Sequence, residues 1–237
     1  MKHDLKHIVC IGGGTGVFAV LHALKDRAHV SAIISMADDG GSAGILRKQK
    51  IVPPNDLRKA MVALSANPEL AMEFEKRDDA GFALGTHVIV GIQQKKGLEE
   101  AIREVSLELK VTGEVIPVTL DLVELSAELQ DGTIIHGETK IDILNSKIDR
   151  PPIKRVFLDP GGSANPKALE AIARADMVVI GPGDLYTSLI PNLLIRGISE
   201  AINNSKAEKI YVCNLMTKHG ETDNYKAEDF LKRIEDF

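Results

Sequence analysis

Residues 7–24 read HIVCIGGGTGVFAVLHAL. His7–Ile11 has the short apolar run of a buried strand, and Val17–Leu24 has the spacing of a helix. Gly12, Gly13, Gly14, Thr15 and Gly16 lie between them. A strand running through glycines into a helix is the opening unit of a parallel α/β sheet. Glycines let main-chain N–H groups approach an anion, and the helix N-terminus adds unpaired donors and a favourable dipole. Taken alone, the stretch fits a phosphate seat or a tight structural turn. If Gly12 and Gly14 begin the dinucleotide fingerprint G-x-G-x-x-G, its third position is Val17 rather than glycine. The Gly-Lys-Ser/Thr ending of a P-loop is also missing.

The same rhythm continues along the chain. Val30–Ser35 reads as a second buried strand. Asn55 stands after Pro53-Pro54 as an N-cap for a helix through Leu64. Leu98, Ile102, Val105 and Leu109 form one helical stripe, with Glu99, Glu100, Arg103 and Glu104 outward. Leu122–Leu129 and Thr133–Glu138 flank Asp131-Gly132 and predict an antiparallel hairpin, inserted in the parallel sheet or lying at its edge. Asp149-Arg150-Pro151-Pro152 is linker-like but too short for a domain boundary. The α/β pattern is then expected to resume with strands at Val156–Leu158, Met177–Ile180 and Ile210–Asn214. Asn165-Pro166 should open a helix to Arg174. The expectation is one domain over 1–237, a three-layer αβα fold whose mostly parallel sheet carries a hairpin insertion around 115–140.

Composition narrows the function. Of 237 residues, 44% are hydrophobic and 27% charged, which is ordinary for a globular chain and excludes disorder. A net charge of −5 supplies no basic field for nucleic acid, and 4% aromatics make base-stacking platforms improbable. The charged start, Met1–His7, does not resemble a signal peptide, and no apolar run approaches a membrane span. Cys10 and Cys213 sit in apolar runs and read as reduced core thiols of a cytoplasmic protein.

The chemistry gathers where strands end. After the second strand come Ala37, Asp38, Asp39, Gly40, Gly41, Ser42, Ala43 and Gly44. Asp38, about 20 residues beyond the glycine loop, has the place of a ribose acceptor in a Rossmann unit. Alternatively, Asp38 or Asp39 holds a divalent cation between phosphates, or the segment is a solvated turn. Asp56 opens the third helix, where an acid is stabilising on its own account. A fourth loop, Gly181-Pro182-Gly183-Asp184-Leu185-Tyr186-Thr187-Ser188, again follows a buried strand, and Asn214–Thr217 follows another. All of these should open onto one crevice at the carboxyl edge of the sheet. The histidines do not cluster; His87, beside Gly85-Thr86, reads as a core or surface residue. No Cys/His ligand spacing and no serine nucleophile elbow is present.

The runs IGGGTG, ADDGGSAGILR, VPPNDLRKAMVAL, IGPGDLYTSLIPNLL and YVCNLMTKHGETDNY, in this order, resemble the CofD-like superfamily, and within it the YvcK or gluconeogenesis-factor group. The likeness spans Ile8 to Tyr225. It implies a Rossmann-like fold with a nucleotide site at these loops. Gly12–Gly16 would hold phosphate, Asp38 and Asp39 would line the pocket, and Asp56 and Arg58 would stand near the phosphates. Tyr186, Thr187 and Ser188 would join from the fourth loop, with Gly181, Gly183, Asn214 and Thr217 beside them. The YvcK-like branch is associated with UDP-sugar binding, cell shape and wall synthesis, and growth on gluconeogenic carbon. The CofD branch is a magnesium-dependent transferase that moves a phospholactyl group onto a deazaflavin alcohol.

The sequence departs from the family pattern at three places. Asn55 and Lys59 replace the Gly and final Asn of P-P-G-D-I-R-N, residues 81–86 lack the His and Asn of G-H-S-L-G-N, and Asp184 replaces the Ser of G-P-G-S-L-Y. Relatives are expected to continue beyond Phe237 with a segment that completes their nucleoside pocket. The favoured expectation is a nucleotide-sugar-binding regulatory protein without established catalysis and with no resident cofactor. A magnesium-dependent CofD-type transferase is the alternative, and a NAD-dependent oxidoreductase the second. The expected partner is a nucleotide-type small molecule, with neither nucleic acid nor membrane; a homo-oligomer is left open.

Overall fold

The computed structural model describes residues 5–142 and 150–237. Met1–Asp4 of the charged start and Asp149 of the linker-like segment lie outside the described residues. The first half of the chain runs β1 (His7–Gly12), α1 (Gly14–Leu24), β2 (His29–Ile34), α2 (Ser42–Lys48), α3 (Asn55–Ala63), α4 (Pro68–Glu75), α5 (Leu84–Lys96), α6 (Leu98–Glu108) and β3 (Glu114–Pro117). An insertion follows: β4 (Leu125–Leu129), β5 (Ile134–His136), α7 (Glu138–Ile141) and β6 (Ile153–Leu158). The chain then continues through α8 (Pro166–Ala173), β7 (Met177–Ile180), a π-helical turn at Leu185–Leu189, α9 (Ile190–Leu193), α10 (Ile198–Asn204), β8 (Glu208–Tyr211) and α11 (Ala227–Glu235).

The main sheet has the order β3-β2-β1-β7-β8, with every neighbouring pair parallel. Its middle strands are apolar on both faces because helices cover both: Val9, Cys10, Ile11, Ala32, Ile33, Ile34 and Val178 are buried. Burial pushes the free Cys10 thiol up to about 12, so it stays protonated and inert. The helix α1 links β1 to β2 and packs on α3, whereas α8 and α10 pack on each other. Right-handed crossovers place these groups on opposite faces, because the strand order reverses between β1 and β7. This is a Rossmann-like three-layer arrangement. Register keeps the strand ends level, with Gly12 beside Ile34, Ile34 beside Pro117, and Ile180 beside Tyr211.

The expected hairpin forms around Asp131-Gly132, where Gly132 N–H donates to Leu129 O and Thr133 N–H to Asp131 Oδ1. It does not join the parallel sheet. Val156–Leu158, expected to resume the parallel pattern, belongs instead to the longer strand Ile153–Leu158, which pairs antiparallel with β4 and closes a second, three-stranded sheet. The last strand is also earlier than expected, ending at Tyr211.

The cap at Asn165 is as the sequence indicates: its Oδ1 accepts Lys167 N–H at 3.0 Å, with Pro166 in the first turn. Asn55 is not a cap but the first residue of α3. Its amide donates to Ser42 Oγ and its carbonyl accepts from Thr86 Oγ1, tying α3 to α2 and α5. Among the described residues no helix is long and apolar enough to cross a membrane.

Candidate functional site

In an open α/β sheet the ligand crevice lies where the strand order reverses. Here that place is between the carboxyl ends of β1 and β7, and a cavity of about 620 Å³ opens there. Such a volume suits a small molecule of nucleotide size. The loop after β1 contributes Gly13, Gly14, Thr15 and Gly16, and the loop after β2 contributes Asp38, Gly40 and Gly41. Asp56 comes from α3, Gly183, Asp184, Thr187 and Ser188 from the loop after β7, and Asn214 from the segment after β8. All the loops named from the sequence therefore reach one cleft.

The two central loops touch. A Cβ placed on Gly16 would lie 2.5 Å from the carbonyl oxygen of Pro182, so only glycine permits the approach. Asn214 braces the second loop with both ends of its amide, accepting from Gly183 N–H at 3.3 Å and donating to Gly183 O at 2.9 Å. Helix α1 has no side-chain cap and no acid in its first turn, so its N-terminal amides depend on partners from elsewhere. One such partner is Asp56, whose Oδ2 accepts Gly14 N–H at 3.1 Å while Oδ1 receives Lys59 Nζ at 3.0 Å. Thr187 lines the cleft, and its buried hydroxyl oxygen has no partner. An unpaired buried hydroxyl is costly and calls for a ligand atom or water.

The paired acids divide their work. Asp38 lines the cleft and its Oδ1 accepts Gly40 N–H at 2.9 Å; burial, then the Asp56 charge, raises its carboxyl above the ordinary range. Asp39 turns away, its Oδ1 taking both the N–H and the hydroxyl of Thr139 at 2.8 and 2.6 Å. Arg47 holds the loop from behind, donating to the carbonyls of Met36, Asp38 and Val123.

Several residues named from the sequence stand outside the cleft lining. Gly12 and Gly181 end or follow their strands, and Ser42 is engaged by Asn55. Tyr186 is buried with its hydroxyl 2.8 Å from that of Tyr225, and Thr217 is exposed. Arg58 is almost fully buried and ion-paired to Glu75, away from the place beside phosphate that the resemblance implies. Its neighbour Lys59 is the cation that lines the cleft. Helical spacing carries that signal, since Asp56 and Lys59 are three apart on one face, whereas Arg58 points elsewhere. His87 is at the surface, 2.7 Å from Asp78 and stacked on Phe82.

The structure adds residues that the sequence did not single out for the site. Ser35, Lys59 and Pro182 line the cleft, and so do Glu138, Thr139 and Asp142. Glu138 was expected in a strand, but Gly137 at φ 97° ends the hairpin and starts α7, whose Glu138 then faces the cavity. Asp142 and Asp184 share Lys218 Nζ at 2.5 and 2.7 Å, and Glu221 lies 3.0 Å from the same ammonium. Glu221 is pushed up to about 7, mainly by burial. Among the described residues, no three His, Cys, Asp or Glu are gathered so as to hold a metal ion.

Glu138 is pushed up to about 8 by burial first, then by the charges of Asp38, Asp142, Asp39 and Asp56. An unfolded glutamate titrates near 4.3. Between about 4.3 and 8 the folded chain keeps a proton that the unfolded chain has released, so this group's contribution falls as pH rises through that window. Glu138→Gln should therefore melt about 2–8 °C above wild type at pH 9, an estimate of roughly 1–2 kcal/mol after solvent screening. At pH 5 the two should melt together, and a constant difference from pH 5 to 9 would disprove the assignment.

Comparison with known proteins places this geometry in a family. The profile of the family described as 2-phospho-L-lactate transferase CofD matches residues 8–237. A protein named gluconeogenesis factor from Halalkalibacterium halodurans is 44% identical over 98% of this chain and 73% of its own length. Its namesake in Bacillus subtilis is 39% identical over 96% of this chain and 73% of its own. A crystal structure of a Bacillus halodurans protein superposes with a TM-score of 0.92 at 44% identity, covering 98% of this chain and 76% of that one. The chain belongs to the CofD family, on the branch of the gluconeogenesis factors.

Proposed function

We propose that this chain binds a nucleoside diphosphate sugar of the UDP-sugar class and acts as a cytoplasmic regulatory protein. The regulation would concern gluconeogenic growth and cell-shape or cell-wall synthesis. One observation carries the reading: the cleft at the sheet's switch point brings the glycine turn that opens α1 against the loop after β7, where Gly183 and Ser188 line it. Both features supply donors for phosphate oxygens.

A ligand at a hundred times its dissociation constant stabilises by about 2.7 kcal/mol. For a domain of this size, each kcal/mol moves the melting midpoint by roughly 2–4 °C. UDP-N-acetylglucosamine should therefore raise the midpoint by about 5–10 °C in a thermal-shift assay, and NAD should leave it in place. A shift with NAD and none with UDP-sugars would reject the reading. The same titration with and without magnesium tests the transferase alternative, which requires strictly metal-dependent binding.

A further inference from the structure

Helices α5 and α6 form a packed hairpin joined at Gly97, and their outer faces differ. In α6 the charged Glu99, Glu100, Arg103 and Glu104 alternate with the buried Leu98, Ala101, Ile102 and Val105. In α5 the run Val88-Ile89-Val90-Gly91-Ile92 is apolar for more than a full turn, so an apolar side faces water as well as the core. Ile89 is buried, whereas Leu84 and Val88, one turn apart, are 42% and 45% exposed. Valine is a poor helix former, so an outward Val88 gains the helix nothing unless something packs on it. The ridge continues through Gly91, with open space at its Cβ, to the exposed Lys95. Beside it lies a hollow of about 440 Å³, walled by Leu70, Phe74, Ile92, Val105 and Leu107 together with Val88.

Charge decides what fits this face. Asp78 and Asp79 stand by the first turns of α5: Asp78 Oδ2 is 2.7 Å from His87 Nε2, and Asp79 is exposed. Arg77 is turned into its own loop, donating to the Gly81 carbonyl. Glu108, on the hollow and at the end of the hairpin away from Gly97, adds a further acid to that side. Lys95 and Lys96 close the opposite end, and Lys96 is taken up by Glu104. Lys95, Asp79 and Glu108 have no ion-pair partner among the described residues. A face that is acidic at one end, apolar in the middle and basic at the other complements itself when turned end for end. An isologous two-fold contact has that property.

We propose that two copies of this chain associate through α5 as an antiparallel two-fold pair. Val88 packs over the partner's Gly91 and beside its hollow, and Leu84 lies along the stem of the partner's Lys95, whose ammonium reaches Asp79. Antiparallel pairing also sets the two helix dipoles favourably. A helix of 13 residues is about 20 Å long, which keeps the contact below a standard interface. The dimer is therefore weak, with a dissociation constant on the order of 10 μM. None of these residues lines the cleft, so the association stands apart from nucleotide binding.

Sedimentation equilibrium of the full chain from about 2 to 200 μM tests this. Val88→Glu, checked by melting for an intact fold, should weaken association at least about a hundredfold, since it brings two carboxylates to a dry centre. Lys95→Glu should weaken it about tenfold through its two symmetry-related pairs, and adding Asp79→Lys to the same chain should restore it to within about threefold. A wild-type chain that stays monomeric at 200 μM overturns the proposal and leaves this face to a different partner. A dimer indifferent to Val88→Glu overturns it too, and so does a Lys95→Glu loss that Asp79→Lys fails to repair.

Discussion

Glu75→Ala should lower the melting midpoint by roughly 4–16 °C, the result of about 2–4 kcal/mol lost in a domain of this size. The reason lies in its partner. Arg58 is 1% exposed, wedged between α3, α4 and α5, and its guanidinium meets the Glu75 carboxylate and, weakly, the Phe74 carbonyl at 3.5 Å. Glu75 itself is 45% exposed, but removing it strands the buried Arg58 charge without its counter-ion, which costs more than the pair contributes. Burial already depresses the Arg58 guanidinium, and the Glu75 charge is the largest influence opposing that. Arg58→Met removes the charge and keeps most of the stem volume, so it should cost less than Glu75→Ala. Circular-dichroism melts of both variants decide the matter. An Arg58→Met protein less stable than Glu75→Ala would show that the guanidinium's own contacts matter more than its need for a counter-charge.

The second large effect is expected at Gly16. Alanine there would drive a methyl to 2.5 Å from the Pro182 carbonyl oxygen and 2.9 Å from its carbon, both main-chain atoms that cannot swing aside. Either the loop after β7 retreats or α1 does. Overpacking of this kind costs about 1–3 kcal/mol. Function should suffer more than stability, because a positioned site is sensitive to displacements of about 1 Å. Nucleotide affinity is expected to fall by a hundredfold or more, while Gly91→Ala, on α5 with open space at its Cβ, leaves it unchanged. Retained affinity in Gly16→Ala would mean that the two loops do not jointly form the seat.

The parallel core was legible because both of its signals are local. Continuous apolar runs mark strands covered on two faces, and glycine after such a run marks the turn into α1. Asn165 could be read as a cap because capping is decided within three residues. The same pair occurs at Asn67-Pro68, where Asn67 Oδ1 accepts Leu70 N–H and α4 begins, so the same rule reaches that helix. The second sheet was not legible. Whether Ile153–Leu158 runs parallel or antiparallel is set by its distant partner β4, and alternation along one strand carries no information about direction.

In the site, glycines, Asp38, Thr187 and Ser188 announce themselves after strand ends, and Asp56 at a helix start. Lys59 stands out in the sequence only as a departure from the family pattern. Glu138 and Asp142 do not announce themselves, because they reach the cleft through an insertion whose placement is tertiary. The Arg47 bond to the Val123 carbonyl and the Asp39–Thr139 contacts fix that placement, across separations of up to 100 residues.

The seating of β1 beside β7 also imposes a schedule on the newborn chain. His7 N–H meets the Asp176 carboxylate at 2.8 Å across 169 residues of sequence, and the strands pair from Ile8 with Met177 onward. Contacts of such separation are slow to close. At a synthesis rate of about 5–20 residues per second, β1 waits on the order of ten to thirty seconds for its neighbour. Throughout that interval its apolar edge is open to other nascent strands on the same messenger. No ligand can rescue the chain during the wait, since the cleft that would hold one is completed by the segment still to be made.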